Sequence, residues 1–143
     1  MSESRRKLDA FVGHLKTALD KYGFEYEPGQ NSYSSGGGFA NGFFNHPKIR
    51  IGIIFRGEKL GSVNYETTAT NVSHDMIING IKRGSEQELF YDSESFCSYT
   101  LNMQEISDAL LHDLETIIIP YLMESSIEEI NSRILKEREK KWK

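Results

Sequence analysis

The chain has little of the chemistry that builds disulfide, zinc or membrane proteins: one cysteine, three prolines and no long apolar run in 143 residues. A single cysteine excludes an intramolecular disulfide framework and a four-cysteine zinc site. The longest apolar run, residues 116–123, is far shorter than the roughly 20 residues that span a bilayer. The N-terminal segment is amphipathic and lacks the apolar core of a signal peptide. We therefore expect a cytoplasmic protein with no membrane partner.

Basic residues are outnumbered by acidic residues. The chain carries 17 Lys+Arg against 21 Asp+Glu, which gives a net charge of −4. Because phosphate contacts need a surplus of cations, nucleic acid is not expected as a partner. A hydrophobic fraction of 38%, with 8 Phe, 7 Tyr and 1 Trp, is typical of a globular protein. The length predicts a single domain over residues 1–143.

The N-terminal stretch predicts a helix. Over residues 4–22 the apolar residues recur at steps of three and four, the spacing of one helical face. Gly23 follows as a natural stop, because glycine adopts the left-handed conformation without a steric penalty.

Two more helices are predicted near the C-terminus. Asn102 and Ser126 each begin a capping-box pattern, with a glutamate three residues on. The first helix runs to about residue 119, where Pro120 ends or kinks it. Most of its apolar residues lie on one face of the helix, but Leu111 and Ile119 lie outside that face. We therefore expect other parts of the protein to cover this helix from two sides. The last helix has the predicted inward residues Ile127, Ile130, Ile134 and Leu135, and its basic tail over 136–143 is expected to fray.

The clearest strand is Lys48–Arg56, where the apolar side chains at 49, 51, 53 and 55 alternate with the rest. A return strand over 60–67 completes a hairpin. Because paired residues share a face of the sheet, the core residues of the two strands meet only across an odd loop of three or five residues. A three-residue loop places Arg50 opposite Glu66, and Gly52 opposite Asn64.

Other segments are less regular. Residues 27–42 are the least constrained stretch, with a turn at Pro28-Gly29 and a mobile surface loop over Gly36–Gly42, flanked by short strands near 24–26 and 39–44. Residues 71–83 suit a strand or an irregular segment, and 87–91 with 95–101 suit a further hairpin. A helix, four to six strands and two helices predict an α+β fold, with an antiparallel sheet covered by helices on one face.

No motif supports catalysis. The glycines over 36–42 fit neither a dinucleotide fingerprint nor a P-loop, since Phe43-Phe44 stands where the P-loop needs Lys and Ser/Thr. The histidines are scattered, and neighbouring residues such as His74-Asp75 and His112-Asp113 point apart. Cys97 has no local histidine to activate it. We therefore predict no catalytic residue, metal site or cofactor.

The polar face of the central hairpin is the candidate ligand-binding surface. It carries Arg50, Arg56, Asn64 and Glu66, with Gly52 leaving a gap between the two arginines; Lys48 is expected on the same face. Arginine forks suit carboxylate or phosphate groups, whereas a solvated face with cross-strand charge pairs needs no ligand. Both interpretations stay open at this stage.

The order of elements resembles that of a group of uncharacterised bacterial α+β domains. The matching pieces are Gly23-Phe24 after the first helix, the strand Ile49–Phe55, and Pro120-Tyr121-Leu122 before a short last helix. Some domains of that group act as immunity proteins beside toxins. The resemblance implies a protein partner and supplies no functional residue.

The leading hypothesis is a non-enzymatic protein-binding module that docks a toxin or a regulatory protein. The apolar surplus on the helix over 102–119 also fits a homodimer interface. The alternative is an enzyme or small-ligand binder for an anionic substrate. In that case Arg50 and Arg56 would bind the phosphate or carboxylate, and Gly36–Gly42 would be a lid.

Overall fold

The computed structural model describes residues 3–34, 37–56, 59–68, 70–74, 77 and 103–141. Helix α1, Glu3–Asp20, opens the fold. Its end is a Schellman motif: the Phe24 N–H bonds to Leu19 O at 3.3 Å and the Gly23 N–H bonds to Asp20 O at 3.1 Å. Gly23 has φ +90°, so the predicted stop is confirmed. None of the described helices is long and apolar enough to cross a membrane.

In the described part of the chain, five antiparallel strands form a meander in the order β1-β2-β3-β4-β5, within the predicted range of four to six. Their bounds are β1 Glu25–Ser34, β2 Gly37–Asn45, β3 Arg50–Arg56, β4 Lys59–Glu66 and β5 Asn71–Ser73. Alternation along each strand sends one set of side chains into the core. The buried set includes Phe44, Ile51, Ile53, Phe55, Val63, Tyr65 and Val72. Helix α1 packs on this side, where the rings of Phe11 and Phe55 meet edge to face at 5.5 Å.

The β3–β4 register agrees with the prediction, but the loop length does not. Arg50 pairs with Glu66, and Gly52 pairs with Asn64. Arg56 pairs with Lys59, so only two residues separate the strands, and a bulge in β4 adds one extra residue, Gly61. Two connecting residues and one bulged residue together make three extra residues, the same number as in the predicted loop. The pairing beyond the bulge is therefore the predicted one, and the isoleucines stay on the core side.

The prediction of a mobile loop over Gly36–Gly42 is wrong for the described residues 37–42. They belong to β2, which pairs with β1 on one side and β3 on the other. The expected turn at Pro28-Gly29 is a bulge inside β1, since the register shifts between Pro28 and Asn31. A Cβ on Gly29 would lie 2.6 Å from the carbonyl oxygen of Asn41, so glycine is needed there for space.

Pro120 does not end the first C-terminal helix. Helix α2, Met103–Asp113, continues through a π-helical turn, Leu114–Ile118, into α3, Ile119–Glu124. A proline inside a helix lacks an N–H and crowds the preceding turn, and the wider turn before it relieves both problems. The inserted residue also rotates the helix, so Ile119 is buried with only 3% exposure. Of the apolar surplus predicted on this helix, Ile119 therefore lies in the core and Leu111 is half-buried against it, so the surplus no longer supports a dimer interface there.

A side-chain contact joins the π-helical turn to the end of α1. The Tyr22 hydroxyl donates a hydrogen bond to Glu115 Oε2 at 2.8 Å. This bond and the negative charge of Glu115, together with burial, raise the pKa of Tyr22 above its ordinary value.

The last helix, α4, spans Ile127–Lys141 and contacts β5. The predicted capping pattern is present: the Glu129 N–H donates to Ser126 Oγ at 3.1 Å. Ile130 and Ile134 are buried as predicted. The prediction is wrong for Ile127 and Leu135, which are 44% and 43% exposed. The four apolar residues cover a wider part of the helix surface than the part that contacts the core, so the outer two remain exposed.

Three further predictions concern the middle of the chain. Asn71–Ser73 forms the short strand β5, while His74 and Ile77 are helical. The hairpin predicted over 87–91 and 95–101, and Cys97 within it, lie outside the described residues.

Candidate functional site

The side of the sheet opposite α1 carries the four residues that the sequence proposes as a site. We call it the open face. The side-chain exposure is 56% for Glu27, 37% for Arg50 and 47% for Glu66, and most of the other described side chains on this face are half-buried. The open face consists of Glu25, Glu27, Phe39, Asn41, Phe43, Asn45, Arg50, Gly52, Ile54, Arg56, Asn64 and Glu66.

Arg50 is the centre of the contacts on the open face. Its guanidinium lies over the Phe43 ring, 3.6 Å from the centroid. One nitrogen is 3.4 Å from Glu27 Oε1 and another is 3.9 Å from Glu66 Oε1, so carboxylates from β1 and β4 flank it. Asn45 Nδ2 also donates to Glu27 Oε1, at 2.9 Å. The arginine is therefore held in one orientation by an aromatic ring and two partly exposed ion pairs.

The gap predicted at Gly52 is filled. Gly52 is buried, because the Phe43 ring from the neighbouring strand lies across it. A Cβ at Gly52 would lie 3.3 Å from Phe43 Cε1, tighter than ordinary contact. Glycine at this position therefore lets the ring lie low enough to stack with Arg50.

The other predicted site residues lie at different distances from this cluster. Glu66 pairs directly with Arg50, and Asn64 pairs with Gly52 in the next row. Arg56 is six residues from Arg50 on the same strand, a separation of about 20 Å at ~3.3 Å per residue. Arg56 is exposed. The two guanidinium groups therefore do not converge on one small anion.

An open cleft of about 290 Å³ adjoins the Arg50 end of the open face, lined in part by Lys48, Thr67, Ile127 and Asn131. Lys48 does not extend onto the open face as predicted. Its ammonium donates to the carbonyl oxygens of Leu122 at 2.6 Å and Ser125 at 2.8 Å. These carbonyls lie at the C-terminal end of α3, where the helix dipole favours a cation. Lys48 therefore ties the β2–β3 connection to the C-terminal helices.

His46 also lies in that connection. Its Nδ1 accepts a hydrogen bond from the Lys48 backbone N–H at 3.1 Å, and its ring lies 4.8 Å from the ring of Phe24. Burial, and then the charge of Lys48, lower the pKa of His46 below its ordinary value of 6.5. These contacts are those of a turn residue that is packed as a neutral imidazole.

A second polar cluster, the buried relay, consists of Tyr65, His74 and Asp113. The Tyr65 hydroxyl lies 2.7 Å from His74 Nδ1, and His74 Nε2 lies 3.0 Å from Asp113 Oδ2. All three residues are at most 1% exposed. A neutral imidazole satisfies both contacts: the hydroxyl donates to Nδ1, and Nε2–H donates to the carboxylate. The relay joins β4, the residue after β5 and the end of α2, and its burial keeps it from contacting a substrate.

Glu27, Phe43 and the pairing of His74 with Asp113 were not predicted as parts of a site. Phe43 lies in the short strand expected near 39–44, which is confirmed as part of β2, but no sequence signal places that strand beside Arg50.

Among the described residues, no group of three or more His, Cys, Asp or Glu side chains is placed to hold a metal ion. No family model matches the chain, and comparison with curated proteins and with solved structures found no match.

Proposed function

We propose that this protein is a non-enzymatic binding module of the immunity or inhibitor type, and that the open face is the surface on which it docks another protein. The observation that carries the proposal is the stack of Arg50 on Phe43, held by Glu27 and Glu66 on a half-exposed sheet surface. Arginine and aromatic residues supply a large share of binding energy at protein interfaces.

The open face is also well organised before binding. Hydrogen-bonded neighbours flank β2, β3 and β4 on both sides, so the backbone beneath Phe43 and Arg50 is held by the sheet. The side chain of Arg50 is held as well, by the ring below it and the carboxylates beside it. Binding then costs little side-chain ordering, which favours affinity.

The small-anion alternative has weaker support. Arg50 already contacts two carboxylates, and Arg56 is about 20 Å away along β3 at the ordinary rise per residue. The lid that this alternative needs over Gly36–Gly42 is, in its described residues 37–42, part of strand β2, which is paired on both sides. A thermal-shift screen with phosphates, nucleotides and carboxylates tests it, because a ligand that binds the folded form raises the unfolding midpoint. A shift that disappears in Arg50→Ala would favour the anion site over the docking surface.

The docking function is tested by comparing variants of the open face with a matched control. Arg50→Ala and Phe43→Ala truncate the proposed contact, while Lys16→Ala truncates an exposed cation on α1, across the sheet. Each variant is first checked for native circular dichroism and unfolding midpoint. The tagged proteins are then used for affinity capture from the source cells, and the captured partner is purified for calorimetric titration.

The expected result is one partner, bound by the wild type and by Lys16→Ala with equal affinity. Arg50→Ala and Phe43→Ala should each bind about 30-fold more weakly, the effect of a hot-spot residue worth about 2 kcal/mol. Equal affinity of all four proteins would place the interface elsewhere and contradict the proposal.

A further inference from the structure

The charges on the open face are divided between its two ends. Near the start of β3, Glu27 and Glu66 flank the cation Arg50, and Glu25 lies in the same row as Arg50, two strands away. At the other end of the same strand, Arg56 is exposed and forms no ion pair with any described residue. One end is therefore acidic, the other carries a cation, and about 20 Å of strand separates them at ~3.3 Å per residue.

The middle of the open face is uncharged in the described residues. Phe43 and Ile54 lie on adjacent strands in neighbouring rows and are half-buried, and Asn41 and Asn64 lie in the same two rows. Apolar side chains between two charged ends follow the general layout of protein interfaces, in which a desolvated centre is bordered by polar residues.

We propose that the open face binds a second copy of itself, forming a symmetric dimer in which the Arg56 end of each protomer lies against the acidic end of the other. Most homo-oligomers close around a two-fold axis, and such an interface must be self-complementary. When two copies of the open face pack together, the two-fold axis lies between them, either perpendicular to the strands or parallel to them. A perpendicular axis places the cationic end of each copy over the acidic end of the other, which gives two contacts between opposite charges. A parallel axis would place the two acidic ends against each other.

The carboxylate assigned to this contact is Glu66. It lies one strand away from Arg50, about 4.8 Å to the side, and its partner oxygen for Arg50 is Oε1 at 3.9 Å. No described residue forms a hydrogen bond or ion pair with Oε2, so that oxygen can accept a second guanidinium. Without a crossing angle, β3 of one copy would lie over β3 of the other, and Arg56 would lie on Arg50. Packed sheets cross at roughly 30°, and this angle moves Arg56 sideways so that it lies beside Arg50 of the other copy.

The size of the surface sets the expected strength. Four long strands and one short strand, spaced ~4.8 Å apart and about seven residues long, give roughly 500 Å² per protomer. Stable interfaces bury about 800 Å² per partner, so the dimer is expected to be reversible, with a dissociation constant in the micromolar range. It goes beyond the proposed function, and it implies that a docking protein competes with self-association for the same face.

The test is a charge swap read by sedimentation velocity from about 5 to about 500 µM, which spans a micromolar dissociation constant. Arg56→Glu and Glu66→Arg should each shift the dimer to monomer, with association at least about tenfold weaker, since each change opposes like charges at two symmetric contacts. An equimolar mixture of the two variants should dimerise again, because each altered residue then meets its opposite. Lys16→Glu, on α1, should leave association unchanged.

Glu66→Arg also removes a contact of Arg50, so Glu66→Gln serves as a second variant at the same position if the first loses its native circular dichroism. Glutamine keeps a side-chain oxygen for Arg50 and removes the charge that the Arg56 guanidinium of the other copy would meet. A wild type that stays monomeric throughout, single variants that still dimerise, or a mixture that stays monomeric would each overturn the proposal. A monomeric protein that still loses a captured partner through Arg50→Ala would overturn the dimer alone and leave the proposed function standing.

Discussion

Replacing His74 by leucine should destabilise the protein by about 3 kcal/mol, because the change removes the centre of the buried relay. Leucine fills a similar volume, so the cost comes from lost hydrogen bonds rather than from a cavity. The imidazole contacts Asp113 at 3.0 Å and the Tyr65 hydroxyl at 2.7 Å, with every partner at most 1% exposed. A hydrogen bond to a charged group contributes about 1.5–3 kcal/mol and a neutral one about 1 kcal/mol.

The free energy of unfolding is measured by urea denaturation followed by circular dichroism. With a slope near 2 kcal/mol per molar, the midpoint of His74→Leu should fall by about 1.5 M. Tyr65→Phe, which removes only the hydroxyl, should cost about 1 kcal/mol and serves as the matched comparison.

A double-mutant cycle separates the relay from general damage to the core. With His74→Leu and Asp113→Leu together, no carboxylate remains buried without its imidazole. The double variant should therefore lose less than the sum of the single losses, by at least about 2 kcal/mol. Strict additivity, or a loss below about 1 kcal/mol for His74→Leu, would refute the view that the relay stabilises the fold.

Three further predictions follow from the described contacts. The lowered pKa of His46 means that the unfolded chain binds a proton more readily, so stability should fall as the pH decreases below 6.5. His46→Asn keeps an acceptor for the Lys48 N–H and should flatten that slope in urea midpoints measured against pH; an unchanged slope would assign it to other groups. Glu115→Gln should lower the pKa of Tyr22 in an ultraviolet titration, and no change would contradict the hydrogen bond between them. Gly29→Ala should cost more than about 2 kcal/mol in urea unfolding, and a neutral result would contradict the close packing of β1 on β2.

Much of the fold follows from local pattern. The alternation in β3 identifies the core side of the sheet, and face matching then yields the pairing of Arg50 with Glu66. The bulge at Gly61 could not be predicted, because a three-residue loop and a two-residue loop with a bulge give the same pairing of Arg50 with Glu66. The glycines of β2 have low strand propensity, and pairing on both sides overrides that tendency.

The contacts that depend on tertiary packing were beyond the sequence. His74 and Asp113 are 39 residues apart, and only the docking of α2 brings them together. Glu27 and Phe43 join the candidate site because β1 pairs with β2 and β2 pairs with β3. Glu27 lies in the stretch expected to be unconstrained, and the short strand expected near 39–44 had no predicted partner. The π-helical turn before Pro120 left one trace in the apolar spacing, because Ile119 falls off the main helical face. That displacement indicated a helix covered from two sides, whereas in the structure it comes from the wider turn.

Hydroxyl-radical footprinting of the protein in its free and associated states shows whether the open face is a binding surface. Phe43 is half-buried in the chain alone and lies at the centre of the surface. Association with a second copy or with another protein should lower the labelling of Phe43, while Tyr22 at the end of α1 should keep its labelling. Protection confined to α1 or α4, with Phe43 labelled as strongly as before, would contradict this expectation.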